Sequence, residues 1–452
     1  MNIVFINTPL QDYGEVPKQE YTTTPPLGLG YLATIAKNLG NNVRLIDAEA
    51  SGFSLEQTVN YALNESPDMV GINLLTPTLN VSRGILQEIR RKNSKVQIIA
   101  GGPHATICPR ETMKEIPEID ILVRGEGEIT LQELLENNDL KQIQGISYRK
   151  SGKVNHNPDR PLNENLDSLP FIDRSFFAND PQKDEPGLKS VMISARGCPY
   201  RCSFCSGPLV LGRQIRTRSI DNVISEIGEL AGQYGVKSIH FLDNEFIFNK
   251  ERVLEYTEKL MSRGLDIQWR ALSRVDLISR FGEEFLQKIK DAGCYQLVFG
   301  IESGNKRILD MVDKGTTPEQ AREAIRLCKK VGIKTKAYYM FGFPTETVPE
   351  MEQTLNHAIE LDTDIAYFLL VKAYPGTTMY DQIARRSGES GLQDYTNLQG
   401  VVCPERENPQ VRNFGKYNIG NTNPISDVST EDLHDMLRKA YKVYYADGRR
   451  KE

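Results

Sequence analysis

Cys198-Pro199-Tyr200-Arg201-Cys202-Ser203-Phe204-Cys205 places three thiols within one short stretch, just after an apolar run and on a loop led by Gly197. Thiolates are soft ligands. Three of them at this spacing can cap three irons of a [4Fe–4S] cube, which leaves the fourth iron open to a substrate or cofactor. Two other readings compete with it, a zinc site and a loop whose cysteines do no chemistry. Structural zinc takes four ligands, normally in two pairs, and no His or further Cys lies nearby to complete a set.

The remaining cysteines carry less. Cys108, Cys294 and Cys328 sit in apolar or helical contexts and read as small buried hydrophobes. Cys403 lies in an irregular tail, where it reads as an inert loop residue, with a hydrogen-atom donor or substrate contact as the sharper alternative. No second set of closely spaced cysteines occurs, so an auxiliary cluster is not expected. Seven cysteines, odd in number and mostly scattered, do not form a secreted disulfide framework and point to a reducing cytosol.

The chain that must position these residues has 452 of them, enough for two to four domains at about 150 residues each. At 39% hydrophobic it can bury a core, which excludes a disordered chain. With 55 Lys and Arg against 60 Asp and Glu, the net charge is -5, which argues against a generally basic nucleic-acid binder. No apolar run approaches the roughly 18 residues of a membrane span. Met1 to Leu10 reads as a buried strand and not as a signal peptide.

Residues 1–140 alternate short apolar strands (3–6, 43–47, 69–72, 96–100, 120–123) with helical stretches such as 27–39. That pattern implies a parallel sheet covered on both faces, with ligands expected beyond the carboxyl ends of its strands. Thr76-Pro77, Gly101-Gly102-Pro103-His104 and Gly125-Glu126-Gly127-Glu128 fall at those ends. Residues 141–187 are polar, with a small hairpin at 145–153, and read as a linker on the surface of both neighbours. A second series follows, with strands at 190–195, 237–242, 267–272, 295–301, 334–340 and 365–371. Helices start near Ser219 and at Thr317, where Pro318 and Gln320 complete a capping box. Six strand–helix units in series suggest a partial parallel barrel. The tail is irregular over 391–428 and ends in a helix after Ser429, with Leu433, Leu437, Ala440 and Tyr444 on one side.

The motif C-x3-C-x2-C with an aromatic before the last Cys, at the end of a first barrel strand, resembles the radical S-adenosylmethionine (SAM) superfamily over residues 188–380. The resemblance implies that Cys198, Cys202 and Cys205 ligate a [4Fe–4S] cluster, with Phe204 beside it. The unique iron then holds the amino and carboxyl groups of SAM, whose reductive cleavage gives a 5′-deoxyadenosyl radical that abstracts a substrate hydrogen. Asp243-Asn244-Glu245 ends the second strand, where the family holds the SAM amino group; Glu245 or Asp243 is the expected contact, although the usual Gly-Gly-Glu is absent. Ser273-Arg274 follows the third strand, and Arg274 is a candidate partner of the SAM carboxylate. Gly300 to Gly304, including Glu302, resembles the ribose-contacting segment. Gly342-Phe343-Pro344 resembles the adenine-contacting one. As ordinary barrel-rim turns these would need no ligand; their order after successive strands favours function.

The N-terminal stretches Pro25 to Leu32, Val70-Gly71-Ile72 with Thr76-Pro77, Gly101 to Thr106 and Arg124 to Glu128 resemble, taken together, the cobalamin-binding domain that precedes many radical SAM barrels. Leu27, Gly28, Thr76, Gly101, Gly102, Pro103, His104, Gly125 and Glu126 are the implied contacts. A dinucleotide fingerprint does not fit Gly28-Leu29-Gly30. The Asp-x-His-x-x-Gly motif that supplies a cobalt ligand is missing, which is compatible with a base-off cofactor. His104 reads as a satisfied structural imidazole more readily than as a ligand.

The expected architecture is therefore α/β: a Rossmann-like cobalamin-binding domain (1–140), a linker (141–187), a partial (β/α)6 TIM-like radical SAM barrel (188–385) and a small C-terminal helical extension (386–452). The expected activity is hydrogen abstraction from an unactivated carbon for cobalamin-dependent C-methylation, on a small molecule. An electron donor such as flavodoxin or ferredoxin is implied, with no nucleic acid, no membrane span and a cytoplasmic location. Two alternatives stand beside it. One is a radical SAM dehydration, rearrangement or cyclisation in natural-product biosynthesis with cobalamin a spectator or absent. The other is a non-catalytic cobalamin or Fe–S sensor.

Overall fold

Apolar runs without alternation are what strands buried on both faces require. Asn2–Asn7 (β1) meets that requirement: Ile3 and Phe5 pack into one core, Val4 and Ile6 into another on the opposite face. The computed structural model describes residues 1–15, 24–136, 139–177, 189–387 and 426–446. The chain divides into two compact units, the first centred on residues 1–181 and the second on the strands and helices that follow.

In the first unit, β1 is joined by Asn42–Asp47 (β2), Met69–Asn73 (β3), Gln97–Gly101 (β4), Ile121–Val123 (β5), Ile146–Lys150 (β6) and Lys153–His156 (β7). Their order is β2-β1-β3-β4-β5-β6-β7. The first five are parallel, and β6 and β7 are antiparallel. The expected hairpin is present, and it extends the sheet by two strands; the described part of the expected linker thus belongs to this unit. Helix Leu27–Asn38 buries Leu29, Ala33 and Ala36 on the Ile3 and Phe5 side, and helix Leu79–Lys92 buries Ile85, Leu86 and Ile89 on the other. Gly30 is where the first helix meets Ile172 and Phe177. A Cβ there would lie 2.6 Å from the Phe177 ring, so this glycine serves close packing within the unit.

In the second unit, Lys189–Met192 (β8), Ser238–Phe241 (β11), Gln268–Ser273 (β12), Cys294–Glu302 (β13), Lys334–Phe341 (β14) and Ile365–Leu370 (β15) follow one another in a six-stranded parallel sheet. Ala195–Arg196 (β9) and Arg216–Thr217 (β10) form a separate antiparallel pair. The helices between the strands lay one apolar stripe each on the sheet, and the capping box at Thr317 with Gln320 is formed. No helix among the described residues is long and apolar enough to cross a membrane.

The last helix, Thr430–Tyr444, buries Leu433, Leu437, Ala440 and Tyr444 as expected. It does more. Among the described residues β15 is the sheet's edge, with no neighbouring strand on one side of its backbone. Tyr441 Oη accepts from Phe368 N (3.1 Å) and donates to Phe368 O (3.0 Å). Tyr445 Oη treats Ala366 N (3.0 Å) and Ala366 O (2.8 Å) in the same way. The spacings match. Four helical residues advance about 6 Å and two strand residues about 7 Å.

Tyr441→Phe therefore strands a buried N–H and a buried C=O. It should cost about 1–3 kcal/mol, read as a lower urea midpoint, whereas Val443→Ala on the exposed side of the same helix should cost under about 0.5 kcal/mol.

Candidate functional site

The loop that bears the cysteines leaves β8 through Ser194 and passes β9, and β10 returns beside β9, so the antiparallel pair closes the base of the loop. The loop backbone is tied down at its middle, where Ser203 N donates to Val312 O (2.8 Å) and Met379 N donates to Ser203 O (2.9 Å). Cys205 N donates to Cys202 O at 3.1 Å. All three thiols are free and half-buried. Burial pushes the Cys198 thiol up, against a backbone N–H donated by Tyr200; it does the same to Cys205, against a backbone N–H from Gly207. Each thiol also feels the charge of its neighbours.

No three His, Cys, Asp or Glu side chains among the described residues converge as one metal ion would require. A cube makes a different demand, because each thiolate caps its own iron. Three free thiols on one pinned loop, supplied with amide donors, fit that donor set.

Buried charge surrounds the loop. Glu245 is 3% exposed, and burial raises its carboxyl to about 8, against the pull of Arg274 and of the Ile247 N–H. Arg274 stacks on the Tyr200 ring, 3.6 Å from its centroid, and its Nε and Nη2 donate to Asp276 (2.9 Å) and Lys314 O (2.8 Å). Lys314 Nζ donates to Glu302 Oε1 at 2.7 Å, with both side chains about one-tenth exposed. Burial opposes the Lys314 charge, yet Glu302 and Cys202 hold its pKa above the ordinary lysine value.

Gly300 accounts for its own identity here. A Cβ at that position would sit 2.3 Å from Glu302 Oε1 and 3.0 Å from Lys314 Nζ, so the ion pair occupies the side-chain space. Glu302 itself is held at φ 67. Lys314 was not singled out in the sequence. It follows a short helix in a stretch without a motif, and only the fold brings it to Glu302.

The paired carboxylates after β11 divide. Asp243, 1% exposed, accepts from Ser194 N at 2.7 Å and from Ser194 Oγ, so it fastens the chain just ahead of the cysteines. Glu245 is the one placed among the charges of the site. Asn244 lies against the loop, near enough that a Cβ on Gly207 would be 2.7 Å from its Nδ2. Ser273 is buried, and its hydroxyl reaches only the Arg274 carbonyl, at 3.4 Å. Phe204 meets the fully buried Phe343 at 6.0 Å between ring centroids, linking the cysteine loop to the turn at Gly342 to Pro344. That turn is clamped by Glu346, a residue the sequence did not reveal. Its Oε2 accepts from Gly342 N (2.7 Å) and Phe343 N (3.0 Å).

Leu27 and Gly28 lie at the start of the helix that follows β1, and the other expected cobalamin contacts lie at the carboxyl ends of β3, β4 and β5. The loops there are knitted together: Leu74 N donates to Gly101 O, His104 N to Leu74 O, and Gly125 N to Thr106 Oγ1. Gly102, at φ 107, leaves no room for a Cβ beside Asn73 and Leu74. At Gly28 and Gly125 a Cβ would meet nothing within 4 Å, the open ground a cofactor face needs. Leu27 is buried in the helix start. Pro103 opens a short helix. Glu126 accepts from Asn163 N at 2.8 Å. His104 is 1% exposed, and its Nδ1 lies 3.0 Å from Thr76 Oγ1. These two residues therefore have each other as partners within the unit. Cys108, Cys294 and Cys328 are buried. Cys403 lies outside the described residues.

A family described as B12 binding domain matches residues 20–135, and one described as Radical SAM superfamily matches residues 192–358. A Pyrococcus horikoshii protein named "Uncharacterized methyltransferase PH0819" is 35% identical over 94% of this chain and 88% of its own. The chain belongs to the B12-binding radical SAM family. Its cofactor set is the family's: a [4Fe–4S] cluster, SAM and cobalamin. An anaerobic magnesium-protoporphyrin IX monomethyl ester cyclase of Rubrivivax gelatinosus is 30% identical over 84% of this chain and 70% of its own. Among solved structures, the radical SAM methyltransferase TsrM of Kitasatospora setae shares the fold, with a TM-score of 0.68 and 21% identity over 85% of this chain and 78% of its own.

Two outcomes follow from the buried groups. Burial lowers the His104 pKa from 6.5 to about 4. The unfolded chain binds this proton first, so stability should fall as pH drops through 6.5 and level off near 4. The loss is at most about 3 kcal/mol, and His104→Gln should flatten that part of the urea-midpoint profile. Glu302→Gln leaves Lys314 buried without its counter-charge and should cost about 3–5 kcal/mol in urea unfolding; adding Lys314→Met should recover most of it.

Proposed function

We propose that this protein methylates an unactivated carbon of a small molecule, using SAM both as radical source and as methyl donor. The observation that carries the reading is the pinned loop of three free, half-buried thiols with Glu245, Arg274, Glu302 and Lys314 around it. The chain's membership in a family whose Pyrococcus member is named a methyltransferase supports the reaction type. When bound, the cluster and SAM supply a carbon-centred radical that takes a substrate hydrogen, and cobalamin supplies the methyl group.

The protein's own residues have distinct parts. Cys198, Cys202 and Cys205 each hold one iron. Glu245 receives the SAM ammonium; a cation there relieves the burial that disfavours its ionised form. Arg274 keeps its plane on Tyr200 and presents its remaining edge to the SAM carboxylate. Glu302 and Lys314 form the wall beside the ribose. Asp243, through Ser194, and Glu346, through the Gly342 and Phe343 amides, hold the backbone that presents these groups. The buried setting keeps water away from a reactive radical. A small reducing partner must deliver the electron. In the first unit, the loops after β3, β4 and β5 would hold the cobalamin, with His104 fastened through its Nδ1 to Thr76 Oγ1.

Cyclisation is the second reading, and the Rubrivivax relative favours it. Methyl-labelled SAM separates the two. Reconstituted, reduced protein with cobalamin should form 5′-deoxyadenosine and pass label to an organic acceptor in a cell extract. Formation of 5′-deoxyadenosine with no labelled acceptor would count against methylation and for the reading in which SAM serves as radical source alone, as in dehydration, rearrangement or cyclisation. Cys202→Ala should lose the iron–sulfur absorption shoulder and reduce 5′-deoxyadenosine to background. An intact spectrum with undiminished SAM cleavage would remove the cysteine assignment.

A further inference from the structure

The sheet of the second unit has two faces. Met192 on β8, Phe241 on β11, Ala271 on β12 and Phe299 on β13 lie in the core beneath the helices. Side chains alternate along a strand, so Ile193, Leu242, Leu272 and Val298 take the opposite face, toward the inside of the barrel. The register sets these four side by side. Met192 pairs with Phe241 one place before Ile193 and Leu242, His240 pairs with Arg270 two places before Leu242 and Leu272, and Leu272 pairs with Val298. Leu242 N donates to Met192 O at 2.9 Å, which carries the ladder up to the row. At about 4.8 Å per strand, the row is an aliphatic strip roughly 14 Å wide.

Inward side chains of this kind fill a parallel barrel by packing on one another. Here they leave space. Leu272 is 38% and Leu242 37% exposed, and among the described residues no other large apolar side chain of this sheet is open to that degree. The comparably exposed Met261, Ile359 and Val443 are on helices, where single apolar residues commonly meet solvent. The polar groups of the inner face are less open than the leucines. His240 and Gln296 are buried one step below the row, Arg270 is half-buried and turned to Gln296 Oε1 at 3.3 Å, and Lys336 is buried against the Tyr367 ring. The most accessible part of the wall is therefore hydrocarbon. It also adjoins the reaction centre. Leu272 lies two positions before Arg274, about 7 Å along the strand, and Leu242 three positions before Glu245, the residues assigned above to the two ends of the SAM amino acid.

We propose that Ile193, Leu242, Leu272 and Val298 form the specificity wall for the substrate, and that the substrate has an extended aliphatic or alicyclic body that lies on this strip and bears the C–H to be attacked. A small polar metabolite would leave the two leucines against water. The assignment rests on the radical SAM reading for what happens at that carbon, but the preference for an apolar ligand stands on the wall residues alone.

The test uses the reconstituted holoenzyme with SAM and the neutral fluorophore N-phenyl-1-naphthylamine as reporter, displaced in turn by butanol, hexanol, octanol and decanol. The reporter should bind, and each added CH₂ should tighten displacement about three- to fourfold. Leu242→Asn with Leu272→Asn should weaken decanol by about tenfold or more, whereas Leu242→Met with Leu272→Met should stay within about twofold of the unaltered protein. Val443→Asn, on the exposed side of the last helix, should change nothing. Retention of the iron–sulfur absorption shoulder shows that a variant is folded and loaded. Should the asparagine pair lose it, Leu242→Thr and Leu272→Thr are read singly, each weakening decanol about threefold or more. No reporter binding, as when another part of the chain covers the wall, displacement that ignores chain length, or polar variants as tight as the unaltered protein overturns the proposal. Reductive SAM cleavage by the unaltered protein is measured in parallel. Its failure would count against the radical SAM reading while leaving the alcohol series to be judged by itself.

Discussion

Cys198 and Cys205 are too close in sequence for a helix or strand to hold three sulfurs in a defined arrangement between them, so the loop takes its shape from what it is tied to. Three ties do this. Asp243 grips Ser194 at the point where the chain leaves β8, the β9–β10 pair closes the base, and Ser203 bonds through both its N–H and its C=O to Val312 and Met379. Each partner belongs to a different part of the second unit. The thiols can therefore keep their places only when most of that unit is folded, and a disturbance near residue 312 or 379 reaches the sulfurs without touching them.

The same reasoning explains why so many charges are buried here. A lone buried ion is costly, and each of these has an answer close by: Lys314 has Glu302, Arg274 has Asp276 and the Tyr200 face, and Asp243 has two donors on Ser194. Burial still raises the Asp243 carboxyl, to about 6, and it raises Glu245 further. Its surroundings push its carboxyl up to about 8, which makes it the group that gains most when a cation arrives. A cation arriving beside it favours the ionised form that burial disfavours.

The strands were legible because the second-unit sheet follows sequence order and its strands are short apolar runs, so local pattern and global topology agree. The cysteine loop was legible because its chemistry is local. What stayed hidden depends on contacts across the chain. Nothing in the residues around Lys314 or Glu346 announces a partner at Glu302 or a grip on the Gly342 turn, and only packing assigns Gly30 to Phe177 and Gly300 to an ion pair. Asp243 and Glu245 look equivalent in sequence, one residue apart, and the fold gives them different tasks.

The tyrosines that finish β15 have a consequence for how the protein is made. Ala366 and Phe368 are separated from Tyr445 and Tyr441 by 79 and 73 positions. At a synthesis rate of about 5–20 residues per second, the nascent sheet waits roughly 4–16 s with that border uncapped. During the interval it is a template for any other extended chain, including a copy emerging from the next ribosome. The C-terminal helix thus closes the edge only after the rest of the chain has been made.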